Sequence, residues 1–267
     1  MELADRLVLV TGASQGIGAA TARLAGVRGA RVLLLARSRE ALEAVAGDIR
    51  VRGGRAATYP VDLADPPALE AACEAIEREA GTPDVVVNNA GSGRWLAIDE
   101  TEPGQAAAMM AVPYLGAFAV SRAFVPGMLR RGSGHFVNLT SPAAYVGIPG
   151  STAYSAARWA MRGFSEALRA DLAGTGIGVS LVVPGKVASS YFENNPGSEE
   201  RVPGIAHLYR TLSPEEVARA VLRAAERGER EVFLPFLLRA TLVAHRLLPR
   251  LVEWLVWRTG WKRPARG

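Results

Sequence analysis

Residues 7–18 constrain this chain most. An apolar run, Leu7–Thr11, breaks at once into Gly12-Ala13-Ser14-Gln15-Gly16-Ile17-Gly18, and a helical pattern continues to about Gly29. A strand that turns and re-enters as a helix so quickly needs positions without a Cβ. Gly12 allows the tight turn, Gly16 the close approach of a pyrophosphate, and Gly18 close packing of the helix. The helix start then offers its unpaired amides to an anion. The context, strand then turn then helix, turns a weak glycine triplet into a strong signal for the first unit of a parallel sheet.

The rest of the chain repeats that rhythm. Short strands are expected at Arg31–Ala36, Ala56–Val61, Val85–Asn88, His135–Thr140, Val179–Val183 and Glu231–Leu234. Helices are expected over about 39–52, 66–80, 103–130 and 152–174. Apolar runs bounded by Gly, Pro and Asn suit a buried parallel sheet with helices on both faces, a doubly wound Rossmann-type α/β domain. Ser213-Pro214-Glu215-Glu216 reads as a capping box opening a further helix. A single domain over 1–235 and a helical tail over 236–267 account for the whole length.

Charge separates these two parts. The chain carries +5. Arg239, Arg246, Arg250, Arg258, Lys262, Arg263 and Arg266 face only Glu253 in the tail, a net +6, so the remainder is −1. A basic pI confined to a tail argues against a nucleic-acid face on the main domain. One cysteine, Cys73, excludes an internal disulfide and fits a reducing compartment. With no apolar leader pattern after Met1, a cytoplasmic protein is expected. His207 and His245 lack ligand-spaced partners, so no metal site is expected, and His135 at a strand start reads as structural.

Further motifs stand in a fixed order: Asp62-Leu63, Asn88-Asn89-Ala90-Gly91, Asn138-Leu139-Thr140-Ser141, Tyr154-Ser155-Ala156-Ala157-Arg158 and Pro184-Gly185 with Val187 and Ser189. Together with the glycine turn they resemble the short-chain dehydrogenase/reductase family over about residues 7–189. The resemblance implies a nicotinamide dinucleotide held by Gly12, Ser14, Gln15, Gly16, Ile17 and Gly18 at the turn. Asp62 and Leu63 would meet the adenine, Asn89, Ala90 and Gly91 the ribose, and Pro184, Gly185, Val187 and Ser189 the nicotinamide amide. The end of the second strand selects the cofactor. Ala36 supplies no carboxylate, whereas Arg37 and Ser38 offer donors for a phosphate, which favours NADP(H) over NAD(H).

By the same resemblance Ser141 orients a carbonyl and Tyr154, 13 residues on, is the acid/base. Two positions depart from the family. Arg158 stands where the family has lysine, and Pro113 where it has asparagine. Four residues apart, Tyr154 and Arg158 share a helix face. A unit charge about 4 Å from a phenolate, at an effective dielectric of about 20, stabilises it by roughly 4 kcal/mol, and arginine supplies that charge as lysine does. It releases a proton far less readily, so activity is expected to be weakened or altered rather than abolished. Pro113 either merely kinks its helix or also frees the Met109 carbonyl to hold a water near Arg158.

Residues 187–212 read as a mobile substrate lid, with Tyr191, Phe192, Ile205, Leu208 and Tyr209 as its apolar cover. That points to a lipophilic ketone, aldehyde or alcohol. Leu237–Trp257 is apolar but interrupted by arginines, and is not a spanning helix. It suits a membrane-surface helix, a cover for the pocket or an oligomer contact. The family implies a homodimer or homotetramer. The alternatives to a reductase are an NADP-binding sensor or scaffold, and a different reaction in which Arg158 binds an anionic group.

Overall fold

A computed structural model describes residues 1–263 of the chain; Arg266 lies outside them. Seven strands form one parallel sheet: β1 (Leu7–Thr11), β2 (Arg31–Ala36), β3 (Arg55–Pro60), β4 (Val85–Asn88), β5 (Gly134–Leu139), β6 (Ile177–Pro184) and β7 (Glu231–Leu234). Their order is β3-β2-β1-β4-β5-β6-β7. The direction of winding reverses between β1 and β4. That reversal opens a crevice at the carboxyl ends of the strands, where open α/β sheets bind ligands.

Both faces of the sheet are buried, which is why β1 shows no polar alternation. Val8 and Val10 pack with helices α1 (Gly16–Val27), α2 (Arg39–Val51) and α7 (Pro214–Arg227). Leu7 and Leu9 face the other way, toward α3 (Pro66–Glu79) and a long helix after β4. The capping box at α7 forms as expected: Ser213 Oγ accepts from the Glu216 amide at 3.2 Å, and the Ser213 amide donates to Glu216 Oε2 at 2.9 Å.

The expected single helix over 103–130 is not uniform. It runs as α4 (Pro103–Met110), a π-type segment over Ala111–Gly116, and α5 (Ala117–Arg131). Pro113 lies in the wide turn. A proline in a regular α-helix meets the carbonyl four residues back, and a π turn relieves the conflict. The composite Pro103–Arg131 is long and apolar enough, by length and composition, to cross a membrane. Val120, Phe124 and Met128 are instead buried against the sheet.

After α6 (Thr152–Asp171) and β6, the segment expected to be an irregular mobile loop is organised. It forms two short 3-10 turns, Glu199–Arg201 and Gly204–Leu208, and closes on an isolated bridge between Val187 and Leu212. The tail is two helices, α8 (Phe236–Leu247) and α9 (Pro249–Thr259), broken at Leu248-Pro249. Their apolar inner residues join the cluster around Tyr145, Leu181 and Val183, so the tail is part of the globular body.

Candidate active site

One cavity of about 910 Å³ runs along the carboxyl ends of the strands. It begins at the glycine turn. Gly12 has φ +65°, and a Cβ there would fall 2.9 Å from the Cα of Ala90. A Cβ at Gly18 would fall 2.1 Å from the Gly12 carbonyl oxygen. Gly16, at φ +56°, has 3.5 Å to the Ser189 Cβ and leaves the cavity floor open. No side chain caps α1. These features fit an extended anionic group laid across the turn.

The turn is tied to β4. Asn89 Nδ2 donates to the carbonyls of Thr11 (2.9 Å) and Gly12 (3.3 Å). Thr11 Oγ1 accepts from the amides of Asn89 and Ala90, each at 3.1 Å. Ser14, Gln15, Gly16, Ile17, Arg37, Ser38, Asp62, Leu63, Asn89, Ala90, Gly91, Pro184, Gly185, Val187 and Ser189 all line the same cavity. Gly18 does not; it packs beneath, against Gly12 and Asn89. Ser38 also caps α2, accepting from the Ala41 amide at 3.2 Å.

Ser141, Tyr154 and Arg158 line the middle of the cavity. A buried polar relay sets the rotation of α6. Asn88 Nδ2 donates to Asn138 Oδ1 (2.8 Å), Asn138 Nδ2 to Ser165 Oγ (2.9 Å), and Ser165 Oγ to the Met161 carbonyl (2.7 Å). Thr140 Oγ1 donates to the Arg158 carbonyl at 3.0 Å. Arg158 is buried, its guanidinium carbon 4.8 Å from the Tyr154 ring centroid. Its Nε is buried without a hydrogen-bond partner. Pro113 does not reach the cavity, whereas its neighbour Val112 does.

Beyond Tyr154 the walls become aromatic and aliphatic. Trp95 packs on the Tyr154 ring at 5.3 Å, and Tyr191 at 6.3 Å. Tyr191 donates to the Gly93 carbonyl at 2.6 Å and accepts from Trp95 Nε1 at 3.3 Å. Burial, with Tyr154 adding to it, pushes the Tyr191 hydroxyl far above the usual tyrosine range. It therefore stays a neutral donor.

The short chain dehydrogenase profile matches residues 6–200. The chain belongs to the short-chain dehydrogenase/reductase family. Probable oxidoreductase EphD of Mycobacterium tuberculosis is 35% identical over 235 residues, covering 84% of this chain and 40% of that protein. The chain thus spans less than half the length of its mycobacterial relative. Dehydrogenase/reductase SDR family member 7B of Bos taurus is 31% identical over 238 residues, covering 86% of this chain and 73% of the relative. Among solved structures, a metagenomic short-chain oxidoreductase in complex with NADP superposes with a TM-score of 0.74 at 31% identity, over 87% and 97% of the two chains.

In this short-chain dehydrogenase/reductase the segment 187–212, expected to be a lid, lines the cavity only in part as expected. Tyr191, Phe192, Ile205 and Tyr209 line the cavity, but Leu208 points outward and is exposed. Arg201 of the lid is a clasp. It pairs with Glu100 at 2.6 and 3.0 Å, donates to the Gly150 carbonyl at 3.3 Å, and stacks on Trp261 at 4.5 Å. The tail adds Leu238, Thr241, Leu242, Val252 and Val256 to the cavity wall. Sequence reasoning named none of these as site residues, nor Trp95 or Asn138. The helical period of the tail was the available signal.

The remaining titratable groups lie apart. His135 is buried, shares a 2.8 Å hydrogen bond with Ser180 Oγ, and has its pKa pushed down to about 4 by burial. Burial pushes the Cys73 thiol up to about 12. His245 meets Glu253 at 3.5 Å across the tail helices. Among the described residues no group of three His, Cys, Asp or Glu is gathered as a metal site.

Proposed function

We propose that this chain is an NADPH-dependent oxidoreductase that reduces a lipophilic ketone or aldehyde, or oxidises the alcohol. One observation carries the reading: Tyr154 and Ser141 stand in a single cavity between the glycine turn and an apolar wall that includes Val146, Ile148 and Leu242. When bound, the nicotinamide supplies the hydride that adds to the carbonyl carbon. Electrons leaving the C=O bond pass to the oxygen, and the Tyr154 hydroxyl gives its proton there. Ser141 Oγ donates a hydrogen bond that orients the same oxygen. Arg158 stabilises the phenolate left behind by its fixed charge, and its donors would hold the ribose when the cofactor is bound. Trp95 and Tyr191 keep water from the ring.

At the other end Arg37 takes the adenosine phosphate, and Ser14, Gln15, Gly16 and Ile17 take the pyrophosphate. Asp62 and Leu63 border the adenine, and Asn89, Ala90 and Gly91 the ribose. Pro184, Gly185, Val187 and Ser189 receive the nicotinamide amide. NADP(H) is favoured because Arg37 lines the cavity and Ala36 brings no carboxylate. The NADP complex of the metagenomic structure supports a nicotinamide dinucleotide in this cavity. Exposed Leu115, Phe118 and Trp159 support a homodimer or homotetramer.

A second reading, a nucleotide-binding relative with little turnover, is favoured by the place of Arg158. Among the described residues its charge lies over the Tyr154 ring and makes no hydrogen bond to the hydroxyl. NADPH oxidation against lipophilic ketones and aldehydes separates the two. A reductase turns over, and Tyr154→Phe lowers kcat/KM by about a thousandfold. If only Arg158→Lys turns over, the second reading stands.

A further inference from the structure

The hairpin α8–α9 has two apolar faces. Leu238, Leu242, Val252 and Val256 form the inner face, buried and lining the cavity. The outer face is left largely open among the described residues. Phe236 is 79% exposed and Leu247 75%; Leu248, Leu251, Trp254 and Trp257 are each more than half exposed. Apart from Leu115, Phe118 and Trp159, already assigned to the oligomer contact, most of the other exposed large apolar side chains lie on this hairpin. Such a concentration marks a contact surface.

We propose that this outer face docks on an anionic lipid bilayer, so that one hairpin serves as cavity wall on one side and membrane contact on the other. Charge chooses the occupant. Arg239, Arg246, Arg250 and Arg258 are exposed on the same two helices. Arg239 and Arg250 have no carboxylate partner among the described residues, and Arg246 has only a loose one, Glu231 at 3.9 Å. The sole acidic residue of the hairpin, Glu253, is half-buried and faces His245. A second copy of the chain docking through this face about a two-fold axis would bring like charges together. An anionic lipid surface complements them, and half-exposed tryptophans suit the headgroup region.

Length fixes the mode. Twelve and eleven residues give helices about 18 and 16 Å long, short of the roughly 30 Å hydrocarbon core. Two helices broken at a proline lie in the interface rather than cross it. This inference goes beyond the reductase reading and does not depend on turnover.

The test is flotation of the full chain with vesicles of phosphatidylcholine alone or mixed with phosphatidylserine. Binding to the mixed vesicles is expected, weakening steeply with salt. The pair Arg239→Glu and Arg250→Glu should cut partitioning by about a hundredfold or more. The pair Trp254→Ser and Trp257→Ser, which leaves the charge unchanged, should also release the protein. Reversing Arg52 and Arg78 on the main domain is the control and should have little effect. No binding, or equal loss in the control, overturns the proposal. So does a chain that self-associates without lipid and dissociates on the tryptophan substitutions, because the face would then be a protein contact.

Discussion

The guanidinium carbon of Arg158 lies 4.8 Å from the centroid of the Tyr154 ring, and its terminal nitrogens rest against Gly91. A planar cation on an aromatic face is a different arrangement from an ammonium pointed at a hydroxyl. It keeps positive charge beside the ring and fixes the side chain by stacking.

Removing that charge tests its role. Arg158→Met should lower kcat/KM for carbonyl reduction by about a hundredfold, whereas Arg158→Lys keeps the charge and restores most of the rate. A Cβ at Gly91 would sit 2.9 Å from both terminal nitrogens of Arg158. Gly91→Ala should therefore push the guanidinium off the ring and cost roughly tenfold in rate, with the melting temperature nearly unchanged. Steady-state kinetics beside thermal melts decides both.

Two glycines of the turn should fail differently. Gly18→Ala forces a Cβ against the Gly12 carbonyl and should destabilise the fold by about 3 kcal/mol. Gly16→Ala has room but must hold φ +56°, at a cost of about 1 kcal/mol. Its main loss should be NADPH affinity, by about tenfold or more, because the new methyl stands on the cavity floor. Urea unfolding and NADPH fluorescence titration separate the two outcomes.

Tyr191→Phe removes the donor to the Gly93 carbonyl and the acceptor of the Trp95 indole. A stability loss of about 1–2 kcal/mol is expected from the groups left unpaired. Trp95 also loses its anchor beside Tyr154, so kcat should fall further than the stability change explains. Comparing kcat at temperatures well below each melting point checks this.

His135 makes stability depend on pH. Its folded pKa is about 4, below the ordinary histidine value of about 6.5, because burial disfavours the cation. Between those values the unfolded chain binds the extra proton. Its contribution is therefore fully present above about pH 6.5 and is lost as pH falls through about 4, a total near 3 kcal/mol. His135→Gln should flatten that part of the stability profile. Urea midpoints at several pH values would show it.

The sheet was legible because its signals are local. β-branched runs and the glycine turn carry their own geometry, and Ser213 with Glu216 announces a helix start within four residues. Tyr154, Ser141, Arg158 and the positions expected to hold a dinucleotide were named from motif and order, and all of them but Gly18 line one cavity. The wide turn around Pro113 was not, since a proline in a helical pattern signals a conflict but not how the backbone resolves it. Trp95 and Tyr191 were missed as partners because they lie 96 residues apart and only the lid's path brings them together. The wall provided by Leu238, Leu242, Val252 and Val256 was foreseen only as one of three roles for the tail: a helical period says that a face is buried, not against what.

Arg201 joins four stretches that are remote along the chain, at Glu100, Gly150, the lid itself and Trp261. The segment 187–212 is therefore tied at one point to three distant parts of the chain. A chain cut short after α9 would lose more than a piece of surface: the stacking partner of that arginine would go with it, and the entrance would come undone from a knot on its far side.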